Sequence, residues 1–489
     1  MNQPHARVVI LGGGPGGYEA ALVAAQLGAQ VTVVDSDGLG GACVLTDCVP
    51  SKTLIATSTT MSVVYGAEDL GIRVGSDPAG GAVAHGTVSH GAVPGRAASA
   101  RAGRGRAAVV APRLYARVKA LAQAQSADVA KRLAAEGVQT ITGHGGLGGP
   151  DTVVVDGQRI QADAVLIATG AMPRVLPGAE PDGERILNWR QLYDLPELPP
   201  ELIVVGSGVT GAEFAGAYQA LGSQVTLVSS RERVLPHEDA DAAVVLEDVF
   251  RRRGMMVLGR SRAAAVKRTR DGVVVTLEGG RTVRGSHCLL TVGMVPATGG
   301  LGLEEAGVIL DGRGFVEVDR VSRTTARGVY AAGDCTGVMM LASVAAMQGR
   351  IAMWHTLGEA VQPIRLDHVA ATIFTDPEIA TVGVTANAVE SGAEDAVAVK
   401  LPLATNARAK MQGFRDGFVK LFARRGTGIV LGGVVVAPRA SELILGVSLA
   451  VEQSLTVDQM AHTFAVYPSL SGSLTEAARR LMLPASGRR

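Results

Sequence analysis

Apolar and polar positions alternate between short buried runs and amphipathic stretches. Val8-Val9-Ile10-Leu11 is an uninterrupted apolar run. A glycine turn, an alanine-rich helical stretch and a second apolar run ending at Asp35 follow it. The same order, strand, glycine turn, helix, strand, recurs over Leu202–Ser229. Laid on one another, Gly12, Gly14 and Gly17 fall on Gly206, Gly208 and Gly211, and Glu19 falls on Glu213. One such glycine pattern is a weak signal; two in register, each opening a helix, predict two Rossmann units. A long helical pattern over Arg113–Glu136 stops at Gly137, and Ala164–Gly170 reads as a buried strand ending in a tight turn. Pro196–Pro200 marks a linker. The last third mixes strands such as Gly432–Val436 with helices and has no nucleotide fingerprint.

The expected architecture is therefore α/β. It comprises two Rossmann-like dinucleotide-binding domains, over 1–170 with 285–362 and over 171–284, and a C-terminal α+β dimerisation domain over 366–489. Residues 75–106, rich in Gly, Ala and Ser, read as a flexible surface insertion; its arginines leave a basic docking patch as the alternative.

Composition narrows the class. The chain has 489 residues, enough for about three domains, with 47% hydrophobic and 19% charged residues. A net charge of +1 gives no overall attraction to nucleic acid or anionic membrane. Strand structure begins too early to leave room for a signal peptide, and no apolar run suits a membrane span, so the expected address is the cytoplasm. Four cysteines do not make a secreted disulfide scaffold. The histidines show no metal spacing, and no metal is assigned.

Two of the cysteines, Cys43 and Cys48, follow the first Rossmann unit closely in Cys43-Val-Leu-Thr-Asp-Cys48-Val-Pro-Ser-Lys52. Along an ideal helix they would lie roughly 7.5 Å apart, beyond the about 4.4–6.8 Å a disulfide wants. Only a distorted helix entry brings them together, and a helix N-terminus favours a thiolate. Redox chemistry is the reading, with buried structural thiols as the alternative.

In a Rossmann unit the glycines admit a pyrophosphate to the helix N-terminus, and an acid closing the second strand bonds the ribose. The first unit has that acid, Asp35. The second has Ser229 there, with Arg231 and Arg233 beyond. Removing the carboxylate favours a 2′-phosphate, which arginine can pair. The second site is thus expected to accept NADPH alongside NADH; the alternative leaves both arginines as solvated loop charges. Further on, Thr325–Asp334 delivers an aspartate at a glycine turn. It resembles the second flavin motif of two-dinucleotide-binding flavoproteins, in which the aspartate bonds the ribitol chain.

With these motifs and Ala168-Thr-Gly170, Gly293-Met-Val-Pro296, Leu341-Ala342 and Phe374-Thr-Asp-Pro-Glu378, the chain resembles the class I pyridine nucleotide–disulfide oxidoreductases over nearly its whole length. The resemblance implies FAD at Gly12, Gly14, Gly17, Asp35, Gly41, Lys52, Gly145, Thr169, Asp334 and Ala342. It implies NAD(P)H at Gly206, Gly208, Gly211, Glu213, Ser229, Arg231 and Gly293. Cys48 would face the flavin and Cys43 would be the interchange thiol, with Lys52 paired to Glu213 beside the nicotinamide.

One departure sets the expected function. Disulfide reductases of this family end in a segment whose His and Glu form an acid–base pair across the dimer; here Tyr467 and Gly472 stand at those positions. A phenol, with a pKa near 10 against about 6.5 for imidazole, is a poor base at neutral pH. His462 is the one nearby substitute. Together with Val49–Thr53, Gly206–Glu213 and Val466–Gly472, this resembles a branch of NAD(P)H:quinone reductases. The expectation is a homodimer passing hydride from NAD(P)H to flavin and electrons to a small quinone-type acceptor, with no nucleic-acid partner and no stable membrane insertion. Disulfide reduction, soluble transhydrogenation and a flavoprotein redox switch are the alternatives.

Overall fold

The computed structural model describes residues 6–72 and 107–482. The expected insertion at 75–106 lies outside the described residues.

Five parallel strands form the first sheet, in the order Val329–Ala331, Ala164–Ile167, Arg7–Leu11, Gln30–Asp35, Gln139–Thr142. Side chains alternate across a strand, so the continuous apolar run Val8–Leu11 serves two cores. Val8 and Ile10 pack with alanines of the helices Pro15–Gln26 and Ala342–Thr356. Val9 and Leu11 pack with Leu147, Val153 and Val155 of a three-stranded antiparallel sheet. Burial on both faces is what a parallel sheet requires. The two helices touch at Gly16 and Gly349: a Cβ on Gly349 would lie 2.1 Å from the Gly16 carbonyl oxygen.

The second sheet repeats the first, with the order Met256–Leu258, Gln224–Val228, Glu201–Val205, His287–Leu290, Ile186–Leu187, again parallel. This corrects the boundary expected at 285. His287–Leu290 belongs to the second unit, because Cys288 and Leu290 bury against Ile203 and Val205. The paired strands Ala171–Pro173 and Met294–Pro296 carry the chain out of the first unit and back.

The C-terminal sheet is antiparallel, in the order Ala371–Ile373, Glu378–Gly383, Val430–Ala437, Phe418–Arg424, Ala396–Pro402. Its core takes in the helices Ala440–Glu452 and Gly472–Met482, the α+β arrangement expected. The long helix runs over Ala111–Ala135 and ends just before Gly137, which has φ +73°.

Ion pairs join the second unit to the C-terminal sheet. Lys420, 6% exposed, places Nζ 2.6 Å from Asp239 and 2.8 Å from Asp241, and Lys400 reaches Asp241 at 2.9 Å. Asp239 also caps the helix Ala240–Arg252 by accepting from Ala242 N. Removing one partner of a buried pair strands the other charge. Lys420→Met is expected to lower unfolding stability by about 3 kcal/mol. Lys420→Met with Asp239→Asn should recover part of it, read from denaturant midpoints.

Candidate active site

The two glycine turns are built alike. In the first, a Cβ on Gly17 would lie 1.9 Å from the Gly12 carbonyl oxygen, and Gly12 has φ +102°. In the second, a Cβ on Gly211 would lie 1.9 Å from the Gly206 oxygen, with φ +112° at Gly206. Gly14 and Gly208 are the N-caps of the helices Pro15–Gln26 and Val209–Leu221, and a Cβ on either would meet open space. Each helix thus presents free amides to an approaching anion.

Asp35 is more occupied than the sequence suggests. Its carboxylate accepts from the amides of Gly13, Asp37 (2.8 Å) and Gly38 (2.7 Å), so it locks the glycine turn and retains part of its acceptor capacity for a ribose. Beside it lies a cavity of about 370 Å³, lined by Leu39, Leu45, Ser126, Thr140 and Thr142 among others. Gly41 and Gly145 pack too tightly for side chains: a Cβ would come within 2.8 Å of Gly14 Cα and 2.6 Å of a Leu11 methyl, respectively. Ala342 opens its helix at the same end of the sheet as Asp334.

Two polar groups here lack partners among the described residues. Thr169 Oγ1 is buried and unbonded. The Asp334 carboxyl is unbonded too, and burial, reinforced by the Asp47 charge, pushes it up to about 6. Buried polar groups ordinarily find partners, and both are placed to bond a polar chain lying along the first sheet. The residues present therefore fit FAD.

At the end of the second unit's strand the structure corrects one expectation. Ser229 is fully buried, and its hydroxyl is held by Ser207 (2.7 Å) and by the Arg231 backbone. It closes the strand end instead of facing a ribose. Arg231 is exposed there, and Glu232 is paired with Arg260, so one carboxylate near the site is neutralised. Gly293 has φ +99° and open space where a side chain would be.

Three bodies meet at one ion pair. Lys52, from the helix Cys48–Tyr65, puts Nζ 2.8 Å from Glu213 Oε2 on the helix Val209–Leu221. Glu213 is 4% exposed, and its Oε1 accepts from Phe374 N at 2.8 Å. The Phe374 ring lies 5.0 Å from the ammonium, a cation–π contact. Burial works against the Lys52 charge, but Glu213, Cys48 and Asp47 outweigh it and its pKa is raised. The amide of Phe374 was not legible as a site group, although Phe374–Glu378 was part of the matching motif.

The cysteines sit on two helices, not one. Cys43 is in Gly41–Leu45, Cys48 opens Cys48–Tyr65, and the break falls at Thr46-Asp47. Both are free thiols, hydrogen-bonded to each other and not joined in a disulfide. That bond lowers Cys43 against the opposing effect of burial, whereas the same bond, burial and the Cys43 charge push Cys48 up. Cys335 is pushed to about 11 by burial, and Cys288 is raised by burial alone. Both are fully buried.

Tyr467 is 85% exposed and Phe464 and Val466 stand equally open, while Gly472 begins the last helix. His462 bonds back to its own helix at the Asp458 carbonyl, 2.8 Å away. Among the described residues, no group of acids, histidines and cysteines is arranged to hold a metal ion, and no helix is long and apolar enough to cross a membrane.

Residues 6–349 match the family model described as pyridine nucleotide-disulphide oxidoreductase, and residues 369–478 match that family's dimerisation domain. The chain belongs to the pyridine nucleotide-disulphide oxidoreductase family. Within that family, an NAD(P)H dehydrogenase (quinone) of Mycobacterium tuberculosis is 56% identical, covering 97% of this chain and 94% of its own length. A dihydrolipoyl dehydrogenase of Chlorobaculum tepidum is 32% identical over 96% of both chains. The crystal structure of LpdA from Mycobacterium tuberculosis superimposes with a TM-score of 0.88 at 55% identity, over 98% of this chain and 100% of that one.

Asp334 supplies a pH test. A carboxyl held near 6 in the fold and about 3.9 when unfolded binds its proton more tightly folded, so it costs nothing below pH 4. Above pH 6 it costs up to about 3 kcal/mol. The apoprotein of Asp334→Asn should match wild type at pH 4 and be more stable at pH 7, by thermal or urea unfolding.

Proposed function

We propose that this chain is a homodimeric FAD-dependent oxidoreductase that takes hydride from NAD(P)H and reduces a quinone-type acceptor. The first sheet, with Asp35, Thr169 and Asp334, would hold FAD; the second, with Gly208, Gly293 and Arg231, would hold NAD(P)H. The flavin supplies the two-electron chemistry when bound.

The chain's own residues position and charge the site. Glu213 orients Lys52, and the ammonium stabilises negative charge that develops beside it. The helix N-termini at Gly14 and Gly208 would steady the two pyrophosphates.

The observation that carries the quinone reading is the absence of a base at the positions where thiol exchange needs one. Tyr467 and Gly472 stand there, and His462 is tied to its own helix. A general acid–base typically contributes about 10²–10⁴-fold. The name of the 56% identical relative, NAD(P)H dehydrogenase (quinone), supports the same reading. The match to a dimerisation domain and the exposure of Phe464, Val466 and Tyr467 support a second subunit covering that segment.

The decisive measurement compares acceptors. Wild type should reduce menadione far faster than lipoamide or glutathione disulfide. Cys43→Ser/Cys48→Ser should keep menadione turnover within about threefold while FAD stays bound. Loss of nearly all menadione turnover in the FAD-replete double variant, or a small disulfide as the fastest oxidant, would sink the direct route.

A further inference from the structure

Asp47 lies at the break between the two cysteine helices. It holds the N-cap position of Cys48–Tyr65, where an aspartate ordinarily accepts from the first amides of the helix. Its carboxyl makes no such bond, and no other group among the described residues bonds it. The groups facing it come from three elements: Lys52 on its own helix, Glu213 on Val209–Leu221, and Arg190 in the connection between the strands Ile186–Leu187 and Glu201–Val205. Its own charge acts on Cys43, Cys48, Asp334 and Tyr193.

A second observation points the same way. Tyr193 is 5% exposed, yet its hydroxyl has no partner, and Arg190 Nε is likewise buried and unbonded. Unpaired buried donors are costly, and Tyr193 lies within the electrostatic reach of both Asp47 and Glu213. An acid held this way is available for proton traffic instead of structural service.

We propose that Asp47 is the proton donor to the acceptor, providing within one subunit what the missing His–Glu pair provides across the dimer in disulfide-reducing family members. The inference rests on the quinone reading above. A quinone that has taken up hydride is a hydroquinone anion. Its oxygen forms a new O–H bond as the O–H bond of Asp47 breaks, and a solvent proton reloads the carboxylate. NAD(P)H loses two electrons and the quinone gains both, so NAD(P)H, quinone and one proton become NAD(P)⁺ and hydroquinone. Lys52 and Arg190 stabilise the carboxylate left after transfer. Burial, with Glu213, raises the carboxyl from its ordinary value and so brings it toward the working pH, where a donor is most effective.

The test uses Asp47→Asn and Asp47→Glu holoenzymes, with FAD content and visible spectrum reporting integrity. Ferricyanide takes one electron and no proton, so it serves as the internal reference. The menadione-to-ferricyanide rate ratio should fall ~10²-fold in Asp47→Asn, and lose its dependence on pH. Asp47→Glu should restore it to within ~10-fold, and stands in should the asparagine variant lose FAD. Independently, the infrared difference between wild type and variant should show a neutral-carboxyl band that persists above the ordinary aspartate range of about 3.9. An unchanged rate ratio, or a band that titrates away by about pH 4, overturns the proposal. Wild type that reduces ferricyanide but no quinone overturns the acceptor reading, and the proposal with it.

Discussion

The Lys52–Glu213 pair is the constraint on which the rest depends. Its two members come from helices of different Rossmann units, and the third contact, the Phe374 amide, comes from the C-terminal body. A buried carboxylate needs both a cation and hydrogen bonds to be held. All three bodies must therefore be docked before Glu213 is satisfied, and docking at this point sets the thiols, the glycine turns and the cation on one another. The Lys420 pairs farther along the same boundary serve the same docking without taking part in the chemistry.

Around that pair the site separates charge handling from proton handling. Lys52 is a fixed positive charge, shielded on one side by Phe374. The thiols share a hydrogen bond that lowers the pKa of Cys43 and raises that of Cys48. Asp47 and Asp334 are carboxyls lifted by burial, and the Asp47 charge raises Asp334 further. A site of this kind is suited to electron traffic with modest proton demand, and ill suited to repeated thiol exchange, which needs a mobile base next to Cys43.

Much of the fold was legible from pattern. The apolar runs at Val8 and Leu202 became central parallel strands, and the glycine spacing marked both helix N-termini. The misses share a cause. His287–Leu290 joins the second sheet through side-chain burial across strands that are far apart in sequence. Ser229 turned inward because Ser207, brought alongside by the glycine turn, offered it a hydroxyl. Asp47 was in plain view between the cysteines, an acid where no capping bond was needed, but its isolation is visible only with its neighbours in place.

Glu19 and Glu213 show where each kind of information ends. They hold the same position in two copies of one local motif, and the motif alone assigns both to a helix following a glycine turn. Local periodicity and backbone sterics determine that much, since neither depends on distant residues. Glu19 is paired with Arg350, 2.7 Å away on a packed helix; Glu213 meets Lys52 across two units, in the proposed site. That difference arises from which side chains the docked sheets bring within reach, and long-range contact is not encoded in local spacing.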